Sequence, residues 1–167
     1  MLIYLLQESA IVKYVLDSSA LLSGREFEGE LFIVPGVQRE LKKYGVTLQL
    51  AAFLDTKVRV LTPAKETIIQ IQNKAKETGD DRRLSPVDMD LLALASELSA
   101  TLVTDDYSIE NLAKALGIPY EAVMMPPIKE EVRWKYRCTG CRKIWPEWHD
   151  TCPICGAPLR TSRPKKT

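Results

Sequence analysis

Four cysteines near the carboxyl end of the chain have the spacing of metal ligands. They form two Cys-x-x-Cys pairs, Cys138 with Cys141 and Cys152 with Cys155, and ten residues separate the pairs. A Cys-x-x-Cys turn places two thiolates on one ion, and two such turns complete the tetrahedral set that zinc prefers. Because protein fills all four positions, we predict one structural Zn²⁺ ion, with a redox dithiol as the alternative.

Aromatic and basic side chains alternate around these cysteines. Aromatic rings can stack on bases while cations neutralise phosphates, which predicts a surface that binds RNA. The alternative is that so small a module needs its tryptophans as a core. The RNA-binding candidates are Arg133, Trp134, Lys135, Arg137, Arg142, Lys143, Trp145 and Trp148. Further phosphate contacts are predicted in a disordered basic tail that holds Arg160, Arg163, Lys165 and Lys166, with a merely solvated chain end as the alternative.

Acidic side chains form a second constellation, earlier in the chain. Asp17 follows an apolar run, Asp88 falls in the first turn of a predicted helix, and Asp105 and Asp106 follow another apolar run. Clustered carboxylates repel each other, and a bound hard cation such as Mg²⁺ or Mn²⁺ would offset that repulsion. Such an ion can activate water for phosphodiester hydrolysis. Each acid has an alternative role as a helix cap, and Glu40 could pair with Lys43 instead of joining the cluster.

The elements that must position these acids alternate between strand and helix. Apolar strands are predicted at residues 11–16, 31–34, 58–61, 101–104 and 120–124, with helices between them and a helix beginning at Pro63. This order predicts an α/β fold with three layers, in which helices cover both faces of a parallel sheet. The carboxyl ends of parallel strands meet at one edge, so the acids should converge there.

The charged residues are distributed unevenly between the part of the chain that holds the acids and the part that holds the cysteines. Residues 1–119 hold 13 Lys and Arg against 17 Asp and Glu, whereas residues 120–167 hold 10 against 5. This asymmetry fits an acidic body joined to a basic module that binds a polyanion.

The apolar start is too short for a signal peptide or a membrane span, so we expect a cytoplasmic protein without membrane contact, and we assign residues 1–10 no function. Gly-rich phosphate loops and nucleophile elbows are absent from the sequence, which leaves water as the nucleophile.

Four segments around the acids resemble a PIN-domain nuclease: YVLDSSALL ending at residue 22, VPGVQREL at 34–41, LSPVD at 84–88 and LVTDDY at 102–107. With the cysteine module behind them, the chain resembles the Nob family of ribosome-maturation endonucleases, particularly its short archaeal form. The resemblance implies a PIN domain over residues 12–124 and a zinc ribbon at 134–160. The prolines and charges between them predict a linker at 125–133, and the basic composition of the end predicts a tail at 161–167.

The resemblance also implies an activity and its residues. The expected reaction is Mn²⁺- or Mg²⁺-dependent cleavage of precursor small-subunit ribosomal RNA at its mature 3′ end, with the pre-ribosomal small subunit as partner. The ligands of the catalytic metal would be Asp17, Glu40, Asp88 and Asp106, with Asp105 close by as a further ligand or a supporting group. Two alternatives remain: a toxin-like PIN ribonuclease that acts on transfer RNA, and a non-catalytic RNA- or ribosome-binding adaptor whose acids are only caps.

Overall fold

The computed structural model describes residues 11–124 and 134–162, which form two separate β-sheets. The larger sheet belongs to the first range and the smaller one to the second. The predicted linker, the candidate Arg133, residues 1–10 and the tail from Arg163 onward lie outside the described residues.

The larger sheet has five parallel strands. They are β1 (Lys13–Leu16), β2 (Glu30–Ile33), β3 (Val58–Val60), β4 (Thr101–Val103) and β5 (Tyr120–Glu121). The spatial order is β3-β2-β1-β4-β5. The chain therefore places β2 and β3 on one side of β1, and then β4 and β5 on the other side. The predicted α/β fold with a parallel sheet is confirmed.

Within the described residues, six helices connect and cover these strands. They are α1 (Ser18–Leu22), α2 (Pro35–Tyr44), α3 (Leu48–Lys57), α4 (Lys65–Thr78), α5 (Pro86–Leu98) and α6 (Tyr107–Leu116). The central helix α5 contacts both β1 and β4, and its run Leu91–Ala95 is buried, because it packs on the sheet and on neighbouring helices. None of the helices in the described ranges combines the length and apolar character that a membrane crossing requires.

Several element boundaries differ from the sequence-based prediction. Strand β1 begins at Lys13 rather than at residue 11, and the bounds of β2, β3 and β4 each differ by one residue. Helix α4 begins at Lys65 rather than at Pro63. Ala64 is its extended N-cap residue, and the Ala64 backbone N–H donates to the Glu97 carboxylate (2.8 Å). Strand β5 ends at Glu121 rather than at residue 124, because the Asp105 side chain takes the N–H groups that would have continued the ladder.

The smaller sheet is antiparallel and has the order β7-β6-β8. Its strands are β6 (Lys135–Cys138), β7 (Ile144–Trp145) and β8 (Leu159–Ser162). Its core consists of Tyr136, Cys138, Cys152 and Leu159. Arg160 pairs with Arg137 across β8 and β6, so the prediction that Arg160 lies in a disordered tail is wrong. We call residues 134–162 the ribbon and residues 11–124 the body.

Candidate active site and cysteine site

The order of the parallel strands creates a crevice beside β1 and β4. The chain leaves β1 toward β2 and leaves β4 toward β5, on opposite sides, so the loops after these two adjacent strands diverge. Such a switch point is where open α/β sheets bind ligands. Asp17 follows β1 directly, and Asp105 and Asp106 follow β4, so the fold places three carboxylates at this crevice.

Thr104 joins the acids of the two strands. Its hydroxyl donates to Asp17 Oδ2 (2.9 Å) and accepts from the Asp106 backbone N–H (3.1 Å). The Thr104 residue is fully buried, whereas Asp17 is half-buried and Asp106 is exposed. The hydroxyl therefore connects the Asp17 carboxylate to the backbone of Asp106 from below the crevice surface.

Close packing of α2 against α5 brings the other two acids to the same place. A Cβ added to Gly36, in the first turn of α2, would lie 2.5 Å from Val87 Cγ2 in the first turn of α5. Glu40 is one turn further along α2, and Asp88 follows Val87. The absence of a side chain at residue 36 therefore allows the approach of the two helices that carry these acids.

Electrostatic interactions link all four acids. Burial is the largest cause that raises the pKa of Glu40, and the charges of Asp17 and Asp88 raise it further. Burial is also the largest cause that raises the pKa of Asp88; hydrogen bonds with Ser85 act to lower it, and the charges of Asp106 and Asp17 raise it further. The structure thus gathers Asp17, Glu40, Asp88 and Asp106 into one negatively charged cluster.

Three of these acids also cap helices, as the alternative interpretation predicted. Asp17 Oδ1 accepts from the Ser18 N–H (2.6 Å), and Asp106 Oδ1 accepts from the Ser108 N–H (2.6 Å). Asp88 and Ser85 form a reciprocal capping box at the start of α5. A carboxylate can accept about four hydrogen bonds or ligands, so a cap does not exhaust it. The same bonds hold the carboxylates in fixed orientations.

The composition of the acidic cluster fits a hard divalent cation. Oxygen donors from several carboxylates suit Mg²⁺ or Mn²⁺, and mutual repulsion of the acids is the cost that such an ion removes. Among the described residues, the four cysteine sulfurs all lie within 4.8 Å of one another, and the acids form no comparably tight group.

Asp105 has a different arrangement from Asp106. Its Oδ1 accepts hydrogen bonds from the backbone N–H groups of Val123 (2.8 Å) and Met124 (3.1 Å), and its own N–H donates to Ser19 Oγ (3.4 Å). These bonds tie the segment after β5 to the loop after β4. Asp105 therefore supports the edge of the crevice through the backbone.

The four cysteines meet as their spacing predicted. The Sγ atoms of Cys138 and Cys155 are 3.3 Å apart, and those of Cys141 and Cys152 are 3.7 Å apart. Tetrahedral zinc with Zn–S bonds of about 2.3 Å would place its sulfurs roughly 3.8 Å apart. Although burial opposes ionisation, the backbone N–H groups of Ile154 and Cys155 help to lower the pKa of the Cys152 thiol to about 6. The site fits a four-thiolate metal centre that leaves no position open for a substrate.

The structure divides the predicted RNA-binding residues of the ribbon into two groups. The tryptophans are partly buried: Trp145 and Trp148 pack against the ribbon core, and Trp134 contacts the body. The cations remain exposed, and Arg137 and Arg142 line an open cavity of about 590 Å³. The exposed candidates are Lys135, Arg137, Arg142 and Lys143.

One residue at these sites, Thr104, was not among the sequence-predicted site residues. It bridges two acids, and the only signal for it was its position directly before Asp105 at the end of an apolar run. Arg160 was predicted as a phosphate contact, but its place beside Arg137 in the cavity follows from strand register, which the sequence alone does not reveal.

Comparison with known proteins agrees with this geometry. The family described as the PIN domain of ribonuclease matches residues 14–98. The chain is 36% identical to endoribonuclease Nob1 of Pyrococcus abyssi, covering 89% of this chain and 92% of that protein. It is 37% identical to endoribonuclease Nob1 of Methanocaldococcus jannaschii, covering 91% and 79%. Ribonuclease VapC1 of Thermoplasma acidophilum is also 37% identical, covering 92% and 79%. The chain therefore belongs to the PIN-domain endoribonucleases of the Nob type, and it is an endoribonuclease.

Proposed function

We propose that this endoribonuclease cleaves precursor small-subunit ribosomal RNA to make its mature 3′ end during ribosome biogenesis. The observation that carries the reaction is the cluster of four acids, from four different elements, at the switch point of a parallel sheet. Support for the target comes from the relation to several archaeal proteins named endoribonuclease Nob1, the family that the sequence resembles. The partner would then be the pre-ribosomal small subunit.

Asp17, Glu40, Asp88 and Asp106 would hold the divalent ion. Bound there, Mn²⁺ or Mg²⁺ would lower the pKa of a water molecule and offset the charge that develops on the phosphate. The caps and the Thr104 hydroxyl keep the carboxylates in place before the RNA arrives, so little reorganisation is required. The amino ends of α5 and α6 also lie at this crevice, and their partial positive charge favours a phosphate.

The ribbon would bind RNA outside the cleaved bond. Its exposed cations, with Arg160 beside Arg137, form a positively charged surface suited to phosphates. The tryptophans would contribute to folding of the ribbon more than to base stacking, because they are packed against protein. Four thiolates would hold a structural Zn²⁺ ion that keeps this surface folded.

The target can be tested by comparing two RNAs in the presence of Mn²⁺. One is a precursor that spans the small-subunit 3′ end, and the other is a transfer RNA of similar length to serve as the matched control. We expect one main cut in the precursor, at the mature 3′ end, and none in the transfer RNA. Cleavage of both RNAs at many sites, or of transfer RNA alone, would contradict the proposed target and favour a ribonuclease with another substrate.

A further inference from the structure

The loop between α4 and α5 forms a seat for the first residues of the ribbon. The Trp134 backbone N–H donates to the Thr78 carbonyl (2.9 Å), and the Tyr136 hydroxyl donates to Asp81 Oδ1 (3.2 Å). A Cβ on Gly79, which has φ +80°, would lie 3.0 Å from Trp134 Cβ. The ribbon thus rests directly on this backbone, and any larger residue at position 79 would disturb the contact.

A buried carboxylate holds the indole in this seat. Asp80 is 0% exposed, and its Oδ1 accepts a hydrogen bond from Trp134 Nε1 (2.5 Å). Its Oδ2 accepts from the Thr78 hydroxyl and from Asn111 Nδ2, each at 2.7 Å. A buried carboxylate is costly unless donors surround it, and the ribbon supplies one of the three donors. The loop conformation therefore depends on Trp134.

Arg83 continues the contact from the ribbon toward the acids. Its guanidinium carbon lies 4.1 Å from the centre of the Trp134 ring, and its Nε donates to Ser108 Oγ (3.1 Å). Ser108 is buried, and its backbone N–H donates to Asp106 Oδ1 (2.6 Å). Three successive contacts thus lead from a ribbon tryptophan to a carboxylate of the acidic cluster.

The adjacent arginine lacks this second connection. Arg82 also lies over a ribbon tryptophan, with its guanidinium carbon 4.6 Å from the centre of the Trp148 ring, and it pairs with Asp81 (3.6 Å). Both of its contacts stay within the ribbon and the loop. Arg82 and Arg83 therefore have the same chemistry and similar aromatic partners, but only Arg83 reaches α6.

We propose that Arg83 is a positioning residue that couples docking of the ribbon to the placement of Asp106. Its planar guanidinium group can stack on the indole while its Nε–H holds Ser108, so it fixes both groups at once. The body then reaches its full nuclease geometry only with the ribbon docked. The inference rests on the proposed role of Asp106 in holding a divalent ion.

The test uses the full chain and Mg²⁺ as the probe, with Arg83→Ala as the variant and Arg82→Ala as its matched control. Binding is followed by NMR through the amide signals of Asp106 and Ser108. We expect Arg83→Ala to raise the Mg²⁺ concentration for half-saturation about 10-fold, the size found when groups that orient metal ligands are lost. Arg82→Ala should match the wild type.

Ser108→Ala tests the same connection if Arg83→Ala fails to fold. It removes the hydroxyl that accepts from Arg83 but keeps the backbone N–H that caps Asp106. We expect a similar shift in Mg²⁺ dependence. A purely structural role for Arg83 would lower the melting temperature and leave the Mg²⁺ dependence unchanged.

Cleavage of the precursor RNA, by the wild type and the same variants, separates failure of the inference from failure of the proposed function. Weaker Mg²⁺ binding in Arg83→Ala, with no cleavage of the precursor by the wild type, would support the coupling and contradict the proposed function. Precursor cleavage with equal Mg²⁺ dependence in wild type, Arg83→Ala and Ser108→Ala would overturn the coupling alone. An equal shift in Arg82→Ala, or no Mg²⁺ response at Asp106 in the wild type, would overturn it as well.

Discussion

At the scale of single residues, hydrogen bonds between neighbouring groups determine how the acids are held. Sequence patterns identified the carboxylates, because aspartates at strand ends and helix starts are visible in the chain itself. The same patterns could not separate Asp105 from Asp106, since adjacent residues differ only in which way their side chains point. Nor could they show that Thr104 bridges Asp17 and Asp106, because that contact joins residues 87 positions apart.

Thr104→Val should weaken both stability and catalysis. Valine keeps the shape of the side chain but leaves the Asp106 N–H without its protein acceptor, and the loss of a hydrogen bond of this kind typically costs about 0.5–1.5 kcal/mol in the free energy of unfolding. Asp17 also loses a donor, so we expect slower RNA cleavage. Thr104→Ser retains the hydroxyl and should stay near the wild type. Urea unfolding and cleavage rates measure the two effects, and equal behaviour of the valine and serine variants would contradict the bridging role.

At the scale of elements, strand order and helix contact bring the acids together. The alternation of strands and helices predicted the parallel sheet. Strands that are buried on both faces form short continuous apolar runs, whereas amphipathic helices repeat apolar residues every three to four positions. Helix boundaries were less predictable. At the start of α4, the Ala64 N–H donates to Glu97, a side chain 33 residues away, and the local sequence does not reveal such a partner. Similarly, only three-dimensional packing shows why residue 36 must be glycine.

Gly36→Ala should separate α2 from α5. The new Cβ would meet Val87, whose branched side chain cannot turn aside, and such overpacking costs about 1–3 kcal/mol. Because these helices carry Glu40 and Asp88, we expect cleavage to slow as well. The double variant Gly36→Ala with Val87→Ala restores the space and should recover much of both properties. Thermal unfolding and cleavage assays test this, and a silent Gly36→Ala would show that close helix contact is not required.

At the scale of the whole molecule, the ribbon, which would be folded around Zn²⁺, is docked on the body, which would use Mn²⁺ or Mg²⁺ for catalysis. The three tryptophans of the chain, Trp134, Trp145 and Trp148, all lie in the ribbon, whereas every helix in the described residues lies in the body. Fluorescence and helical circular dichroism therefore report on the two parts separately. The exposed cations of the ribbon predict that it contributes to RNA binding, which the salt dependence of RNA affinity can measure.

Removal of zinc should unfold the ribbon and leave the body folded. We expect one zinc ion per chain by elemental analysis, since four thiolates fill one tetrahedral site. Chelation should shift tryptophan emission to longer wavelength as the indoles meet water, while the helical circular dichroism signal largely persists. Emission that stays constant after complete loss of zinc would show that the metal does not hold the ribbon together.

Loss of ribbon cations should change how RNA affinity depends on salt. Each phosphate contact contributes about 0.7 to the slope of log affinity against log salt for single strands. The triple variant Arg137→Ala, Arg142→Ala, Arg160→Ala should therefore bind more weakly and with a shallower slope, while replacing exposed Arg59 in the body should not. An unchanged slope in the triple variant would assign RNA binding to the body.

Cleavage of the precursor RNA by acid variants tests most directly whether the four carboxylates form the nuclease centre. Asp17→Asn and Asp106→Asn keep size and capping ability but remove the charge that would hold the divalent ion. With Mn²⁺ present, we expect cleavage to fall about 100-fold or more, a loss typical of removed electrostatic groups. Circular dichroism and RNA affinity should remain near the wild type. Cleavage at the wild-type rate by either folded variant would contradict the assignment of the active site to this cluster.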